Sequence, residues 1–191
     1  SNDTQLDTDG DGIGDSCDLR FELVNDDVVL DTHLGKEWTR EPAEEPRPHA
    51  KAQEFCSELE LGGYDNWRLP NISELRSLTK GCIELETWGS CAVSASGCLS
   101  SLSCMDNCER PATCSSDVAP EGDCYWQDNI WEGTCFLHWS SSLDVDSSKM
   151  WSWTYKEDDA GASVNHSGNF LSVRCVRQDG DPDADGIPSD D

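Results

Sequence analysis

The sequence predicts an α+β domain with an irregular acidic segment at each end. Apolar and polar residues alternate in residues 20–40 and again within residues 134–177, which is typical of β-strands. Between these regions, one stretch has helical spacing and another carries a helix-capping pattern. Eight of the eleven cysteines lie in residues 81–135, so we expect a disulfide-rich insertion there.

The amino-terminal segment carries a calcium-binding pattern in DTDGDGIGDSCD, residues 7–18. Aspartates occupy positions 1, 3, 5, 9 and 12 of this window, and Gly12 at position 6 permits a sharp turn. Carboxylates this close repel one another unless a cation lies between them, and Ca²⁺ takes roughly six to eight oxygen ligands. The flanking residues show no helical period, which predicts a free-standing calcium loop. Its expected ligands are Asp7, Asp9, Asp11, the carbonyl of Ile13, Asp15 and Asp18.

The carboxyl-terminal segment, residues 179–191, begins a second loop of the same kind in DPDADGIPSDD. Its expected ligands are Asp181, Asp183, Asp185 and the carbonyl of Ile187. Residues 1–18 and 179–191 each carry six acidic residues and no Lys or Arg, and we call them the acidic end segments. Calcium is therefore the cofactor that the sequence predicts.

The first part of the domain predicts strands. RFELVNDDVVLDTHLGKEWTR, residues 20–40, alternates around turn-forming residues at 25–27 and again at 32–35. This pattern indicates two or three short antiparallel strands, followed by the proline-rich connection EPAEEPRP.

Two helices are expected next. HAKAQEFCSELELGG predicts a helix near residues 49–60, ended by the glycine pair. Its apolar residues at helical spacing are Ala52, Phe55, Cys56 and Leu59. Directly after Pro70, Asn71 is a suitable N-cap, and Glu74 follows three residues later. This capping-box arrangement predicts a second, short helix.

The insertion at residues 81–135 has few branched apolar residues, so we expect it to depend on disulfides rather than on apolar burial. Each disulfide contributes about 2–4 kcal/mol in loops of this size. The closest cysteine pair, in CMDNC, has no histidine or second pair at zinc spacing. Strand patterns then return in CFLHWSSS, MWSWTY and FLSVRCVR.

Composition indicates the cellular compartment and argues against some classes of binding partner. The chain has 13 Lys and Arg against 39 Asp and Glu, a net charge of −26, which argues against nucleic acid and anionic membranes. Its cysteine content indicates an oxidising compartment. No apolar run approaches the roughly 18 residues of a membrane span, so we expect no membrane insertion. We expect a mature secreted chain, extracellular or at a cell surface, with domains at 1–18, 19–178 and 179–191.

The middle of the chain resembles the Lcl C-terminal domain family over about residues 20–178. The resemblance is carried by GGYDNWRLPNISELRSL, HWSSS, MWSWTY and VRCVR, in that order. It implies a C-type-lectin-like fold, with a small twisted antiparallel sheet, two helices and long loops, and a disulfide between Cys56 and Cys175. The amino-terminal TQLDTDGDGIGDSCD is similar to a thrombospondin type-three repeat, from which the carboxyl-terminal loop departs at Ser189.

If Cys56 pairs with Cys175 as the resemblance implies, eight cysteines remain within the insertion and Cys17 is left over. Cys17 is then free, paired into the insertion or paired with another chain. The sequence does not decide among these alternatives.

The tryptophans have a structural and a functional interpretation. Trp67 and Arg68 are expected to be structural, the first buried and the second bound to loop carbonyls or to a carboxylate. The candidate glycan-binding residues are Trp126, Trp131, Trp151 and Trp153. The Glu-Pro-Asn, Gln-Pro-Asp and Trp-Asn-Asp motifs of calcium-dependent lectins are missing from the sequence, which argues against direct capture of sugar through calcium.

Catalysis is not expected, because the four histidines are scattered and none lies in a recognisable catalytic motif.

Placed end to end, the carboxyl-terminal and amino-terminal segments resemble one tandem pair of thrombospondin type-three loops. This suggests that the tail of one copy binds the amino-terminal loop of the next and forms a filament. Each segment folding onto its own domain is the open alternative. The second functional hypothesis is an adhesion module that binds glycans, with its acidic segments as calcium-stiffened spacers.

Overall fold

The computed structural model describes residues 20–108, 124–126, 130–156 and 159–178 of the chain. These ranges contain seven strands and two helices, which confirms the α+β class. The strands are β1 (Phe21–Leu23), β2 (Val28–Asp31), β3 (Lys36–Thr39), β4 (His138–Leu143), β5 (Met150–Thr154), β6 (Gly161–Asn165) and β7 (Val176–Gln178). The helices are α1 (His49–Ser57) and α2 (Ile72–Ser77).

Four strands form one antiparallel sheet in the order β1, β2, β3, β7. The first three are joined by short turns at the two places predicted from the sequence. In the first turn, the Asn25 side chain accepts a hydrogen bond from the backbone of Asp27 at 2.8 Å. In the second turn, Gly35 adopts a positive φ of 55°, which glycine tolerates better than other residues.

The remaining strands form a second antiparallel sheet in the order β4, β5, β6. The described residues therefore contain two small sheets, where the resemblance implies one. Strand β6 was not expected, because GASVN is poor in the β-branched and aromatic residues that mark a strand. It is a strand because it pairs with β5 along its length, for example Ser163 opposite Ser152.

The segment FLSVRCVR crosses between the two sheets. Only its end forms a regular strand, β7. Leu171 forms an isolated bridge with Arg47, and Ser172 forms one with His138 of the second sheet. The predicted strand is therefore shorter than expected, because the segment pairs with each neighbour only briefly.

Both predicted helices are present. Helix α1 ends at Ser57, earlier than predicted, because the amide of Leu59 bonds to the carbonyl of Cys56, three residues back, and tightens the last turn. Helix α2 begins with the predicted capping box. Asn71 Oδ1 accepts from the Glu74 amide at 2.9 Å, and Glu74 Oε2 accepts from the Asn71 amide at 2.8 Å.

The disulfide between Cys56 and Cys175 ties α1 to the chain just before β7, and it is the pairing that the family resemblance implies. Both cysteines are fully buried. The insertion contains further disulfides, Cys91–Cys108, Cys98–Cys104 and Cys124–Cys135, and Cys82 is also disulfide-bonded. The chain is therefore disulfide-rich, as predicted. Cys17 lies outside the described residues.

The insertion contributes to the main core, which the sequence analysis did not expect. Its buried apolar residues pack with α2, β3 and β5 in a single cluster. They include Leu85, Val93, Tyr125, Trp126, Ile130 and Trp131. Disulfides and apolar burial together hold this segment.

Candidate functional site

The two ends of the described domain lie at the same end of the four-stranded sheet. Phe21, the first residue of β1, is opposite Asp31, Asp31 is opposite Lys36, and Lys36 is opposite Gln178, the last residue of β7. We call these four residues the end row. It crosses three strand spacings of about 4.8 Å, so the chain enters and leaves the sheet about 14 Å apart.

The entry side of the end row is anchored by Arg20. Its guanidinium forms a bidentate ion pair with the fully buried Asp31, at 3.1 Å through Nε and 2.7 Å through Nη2, and Nη1 donates to the carbonyl of Ser77. The carbonyl of Arg20 accepts from the amide and the hydroxyl of Thr32. Bidentate guanidinium–carboxylate pairs restrict orientation as well as distance, so the start of β1 is firmly positioned.

The exit side is anchored to the same turn. Gln178 Nε2 donates to the carbonyls of Gly35, at 2.7 Å, and Leu34, at 3.4 Å. The preceding Arg177 forms a buried ion pair with Glu37 of β3 at 2.6 Å, and its guanidinium lies 3.3 Å from the centre of the Tyr64 ring. The turn at residues 32–35 therefore binds both ends of the domain.

The predicted calcium ligands in both acidic end segments, with Cys17, lie outside the described residues. They are Asp7, Asp9, Asp11, Ile13, Asp15, Asp18, Asp181, Asp183, Asp185 and Ile187. In the part of the chain that the structure describes, no three His, Cys, Asp or Glu side chains are grouped so that they could hold a metal ion.

The four candidate glycan-binding tryptophans are core residues and do not form an exposed surface. The exposed fraction is at most 4% for each of them, namely Trp126, Trp131, Trp151 and Trp153. Trp153 donates its indole N–H to Thr79 Oγ1, and Trp131 packs edge-on against Phe21 at 5.2 Å between ring centres. Their ring faces are covered by protein, so they are not available to stack on a sugar.

Trp88 is the exposed tryptophan that the sequence analysis missed, with 96% of its surface accessible. It lies in residues 82–91, which we call the Trp88 loop. The buried Arg76 of α2 braces this loop by donating to three of its carbonyls, those of Leu85, Glu86 and Gly89, and it also donates to the carbonyl of Val93 just after the loop. The sequence pattern gives no signal that separates this tryptophan from the buried ones.

Trp67 and Arg68 have the structural role expected of them. Trp67 is 2% exposed, and its indole donates to the carbonyl of Leu61. Arg68 forms a two-bond ion pair with Glu74, which also binds Lys36 of the end row at 2.7 Å. Burial alone would raise the pKa of Glu74, but these cationic hydrogen bonds hold its pKa at about 2.

His138 is the most unusual titratable group of the described core. It is fully buried, and neither ring nitrogen has a hydrogen-bond partner. Burial lowers its pKa well below the usual value, and the nearby cationic Arg174 lowers it further. Arg174 is itself buried between Trp126 and Trp131, with ring centres at 5.4 and 5.0 Å. His138 is therefore a neutral packing residue.

The fold, the capped α2 helix and the helix-to-strand disulfide are those of a disulfide-rich α+β module. The chain matches the Lcl C-terminal domain model over residues 27–177, more than half of its length, and it belongs to that family. No match to the chain was found among the curated proteins or among the solved structures. None of the helices in the described ranges is long and apolar enough to cross a membrane.

Proposed function

We propose that this chain is a secreted, non-catalytic structural protein whose copies join head to tail through calcium bound by the acidic end segments. The observation that carries the proposal is the end row, because it places Phe21 and Gln178, the strand residues that lie nearest in sequence to the two acidic end segments, at the same end of the sheet. A joint between two such segments lies beside the domain and not across it. Copies linked in this way form a spine of calcium loops from which the domains project.

The charge distribution supports a requirement for calcium. The two acidic end segments carry twelve acidic residues and no Lys or Arg. The sheet residues that precede and follow them in sequence, Phe21 and Gln178, lie about 14 Å apart across the end row. At the end row itself, Arg20 is paired with Asp31, and Lys36 with Glu74. The two segments therefore repel each other without a cation, whereas bound Ca²⁺ removes the repulsion and supplies a shared set of ligands.

The proposal also includes the fold of the domain, the repeat class of the acidic end segments and the extracellular location. We assign the domain a C-type-lectin-like fold, supported by the two helices and by the disulfide from α1 to the chain before β7. We assign the acidic end segments to thrombospondin type-three repeats, supported by the spacing of their aspartates. The extracellular location is supported by the disulfides of the described core.

A second function, adhesion to glycans, is favoured by one observation, the exposure of Trp88. An indole on a braced loop presents a flat apolar face at little entropic cost. In this alternative the acidic end segments are calcium-stiffened spacers, and the glycan contact is the Trp88 loop instead of the four buried tryptophans.

Light scattering of the purified chain, with about 1 mM calcium and then with excess chelator, tests the proposal. Negative-stain imaging gives the shape of any particles. We expect elongated particles with calcium that dissolve on chelation. A monodisperse particle near 21.1 kDa under both conditions contradicts assembly, and binding to immobilised glycans by the wild type but not by Trp88→Ala then supports the second function.

A further inference from the structure

We infer that strand β4 is an acid-sensitive connection between the two sheets, which releases residues 171–175 and the start of α1 when His49 and His138 take up protons. The inference goes beyond the proposed function, because it concerns the described domain of a single copy and holds whether or not copies join. It follows from three features: the place of β4 in the fold, the burial of a histidine on each of its faces, and the charges around those histidines.

Strand β4 connects the second sheet to the chain before β7 and to α1. The amide of Trp139 donates to the carbonyl of Ser172, and the amide of Ser172 donates to the carbonyl of Leu137, both at 3.0 Å. The indole of Trp139 also donates to the carbonyl of Arg47, just before α1, at 2.7 Å. Because a disulfide ties α1 to the chain before β7, these contacts of β4 hold one unit, formed by α1 and residues 171–175.

Each face of β4 has a buried histidine against it. His138 is a residue of β4 and is fully buried beside Trp126 and Tyr155, which belong to the main core. The next residue, Trp139, points to the opposite face and lies in a second apolar cluster. There His49, which is 6% exposed, packs edge-on against Trp139 at 5.3 Å between ring centres. Both faces of the strand therefore depend on a histidine that is buried.

A proton on His138 is opposed by its surroundings. Neither ring nitrogen has a hydrogen-bond partner, and Arg174, a fully buried cation, acts on the ring from the segment before β7. Tyr155 stays neutral, since burial raises the pKa of its hydroxyl group. Glu41 acts on Arg174 from the surface, where its side chain is exposed. Protonation therefore places one buried cation on β4 and leaves another on the segment that β4 holds, and the two repel.

His49 opposes a proton for a related reason. Its Nε2 donates to the carbonyl of Ser140 in β4 at 2.9 Å, and burial lowers its pKa although this hydrogen bond opposes the shift. His49 is also the first residue of α1, where a positive charge is unfavourable. The charged side chains near it in sequence have other partners: Lys51 pairs with Glu54, and Arg47 lies over an aromatic ring. The charged form is therefore favoured only when the start of α1 leaves β4 and the ring meets water.

These two groups set the pH range of the opening. In the open form both histidines meet water and take up protons at the ordinary pKa of about 6.5. The closed form is therefore fully favoured above that pH. Below it, each group increases the ratio of open to closed molecules by up to about 10-fold per pH unit. We expect at least about 10-fold more of the open form at about pH 5 than at about pH 7.

Hydrogen–deuterium exchange of the oxidised full chain at about pH 7 and about pH 5, corrected for intrinsic exchange rates, tests the inference. We expect protection at residues 137–142 and 171–175 to fall by about 10-fold or more, and to be lower at about pH 5 than protection at residues 28–39. Unchanged protection at the first two ranges overturns the inference. Equal protection in all three ranges at about pH 5 also overturns it, because these residues then exchange only when the whole domain unfolds.

Variants assign the effect to the two buried histidines. His49→Gln keeps a side-chain N–H for the carbonyl of Ser140, and His138→Leu places an apolar side chain in the core. We expect the double variant to show the same protection at both pH values. His33→Gln with His166→Gln replaces the two exposed histidines and is the matched control, which responds to acid as the wild type does. A folded double variant that still opens in acid overturns the inference. The exchange of the wild type decides the question by itself if the double variant does not fold.

Discussion

Phe21 and Gln178 lie on opposite edges of the four-stranded sheet but in the same row of residues, so the chain enters and leaves the domain at one end. Between them, the turn at residues 32–35 bonds to Arg20 on one side and to Gln178 on the other. In the proposed assembly, this arrangement attaches the domain to the side of the calcium joint. The same turn therefore anchors both Arg20 and Gln178.

Removal of two predicted calcium ligands, Asp183→Ala together with Asp185→Ala, is expected to abolish calcium-dependent assembly. The reason is that hard cations need several oxygen ligands from one loop, and this change removes two of them. Light scattering with calcium measures the effect, and near-ultraviolet circular dichroism is expected to show an intact core. Asp65→Ala with Asp106→Ala, which removes the same charge from exposed loops, is the control and is expected to assemble. Filaments that persist in the first variant rule out the calcium joint.

Loss of the Cys56–Cys175 disulfide, through Cys56→Ala with Cys175→Ala, is expected to lower the free energy of unfolding by about 5 kcal/mol. The sequence separation is 119 residues, and closing a loop of this length in the unfolded state accounts for a value of that size. Urea unfolding under oxidising conditions measures the change. A loss below about 1 kcal/mol means that the contacts of α1 with β4 hold these elements without the covalent link.

Trp151→Ala and Trp88→Ala are expected to differ sharply in stability. Trp151 is fully buried and donates its indole N–H to the carbonyl of Leu99, so its truncation leaves a cavity and costs about 3–5 kcal/mol. Trp88 is 96% exposed, so its truncation changes the free energy of unfolding by about 0.5 kcal/mol or less. Denaturant unfolding of the two variants gives both values. Similar losses in both contradict the assignment of Trp151 to the core and Trp88 to the surface.

Stability is expected to fall as the pH drops below about 6.5, because of His138. Burial beside Arg174 and Tyr155 lowers the pKa of His138 in the folded protein, whereas the unfolded chain takes up the proton at its ordinary pKa. The contribution is present above that ordinary pKa and is lost towards acid, at about 1.4 kcal/mol per pH unit. His138→Leu removes the proton uptake. Between about pH 6.5 and about pH 5, the unfolding free energy of this variant is therefore expected to depend less steeply on pH than that of the wild type. Equal slopes in the two proteins contradict this account.

In the more acidic range, the carboxyl group of Glu74 is expected to contribute to the pH dependence of stability. Burial opposes the charge on Glu74, but Arg68 and Lys36 hold its pKa at about 2. A lowered carboxyl pKa stabilises the fold above the unfolded value of about 4.3, and this contribution is lost as the pH falls from there towards 2. Arg68→Met is expected to shift the acid midpoint of unfolding upward, as measured by circular dichroism during acid titration. A midpoint at or below that of the wild type excludes this ion pair as a source of acid stability.

Local patterns determined much of the fold, because they depend on neighbours along the chain. The turns at residues 25–27 and 32–35, the α1 helix and the capping box of Asn71 and Glu74 follow from such patterns. The family resemblance located the pairing of Cys56 with Cys175, which no local pattern specifies. The predicted calcium loops are likewise local motifs, and their expected ligands follow from aspartate spacing alone.

Tertiary packing decided what the sequence by itself left open. Tryptophans in similar surroundings are equivalent in the sequence, yet Trp88 is exposed on a loop that Arg76 braces, while Trp151 and Trp153 lie in the core. Strand β6 has a weak strand pattern and exists only through its pairing with β5. The sequence determined that residues 1–18 and 179–191 are acidic, and it predicts calcium loops there. Only the pairing of β7 with β3, through contacts between residues more than a hundred positions apart, placed Gln178 in the same end row as Phe21.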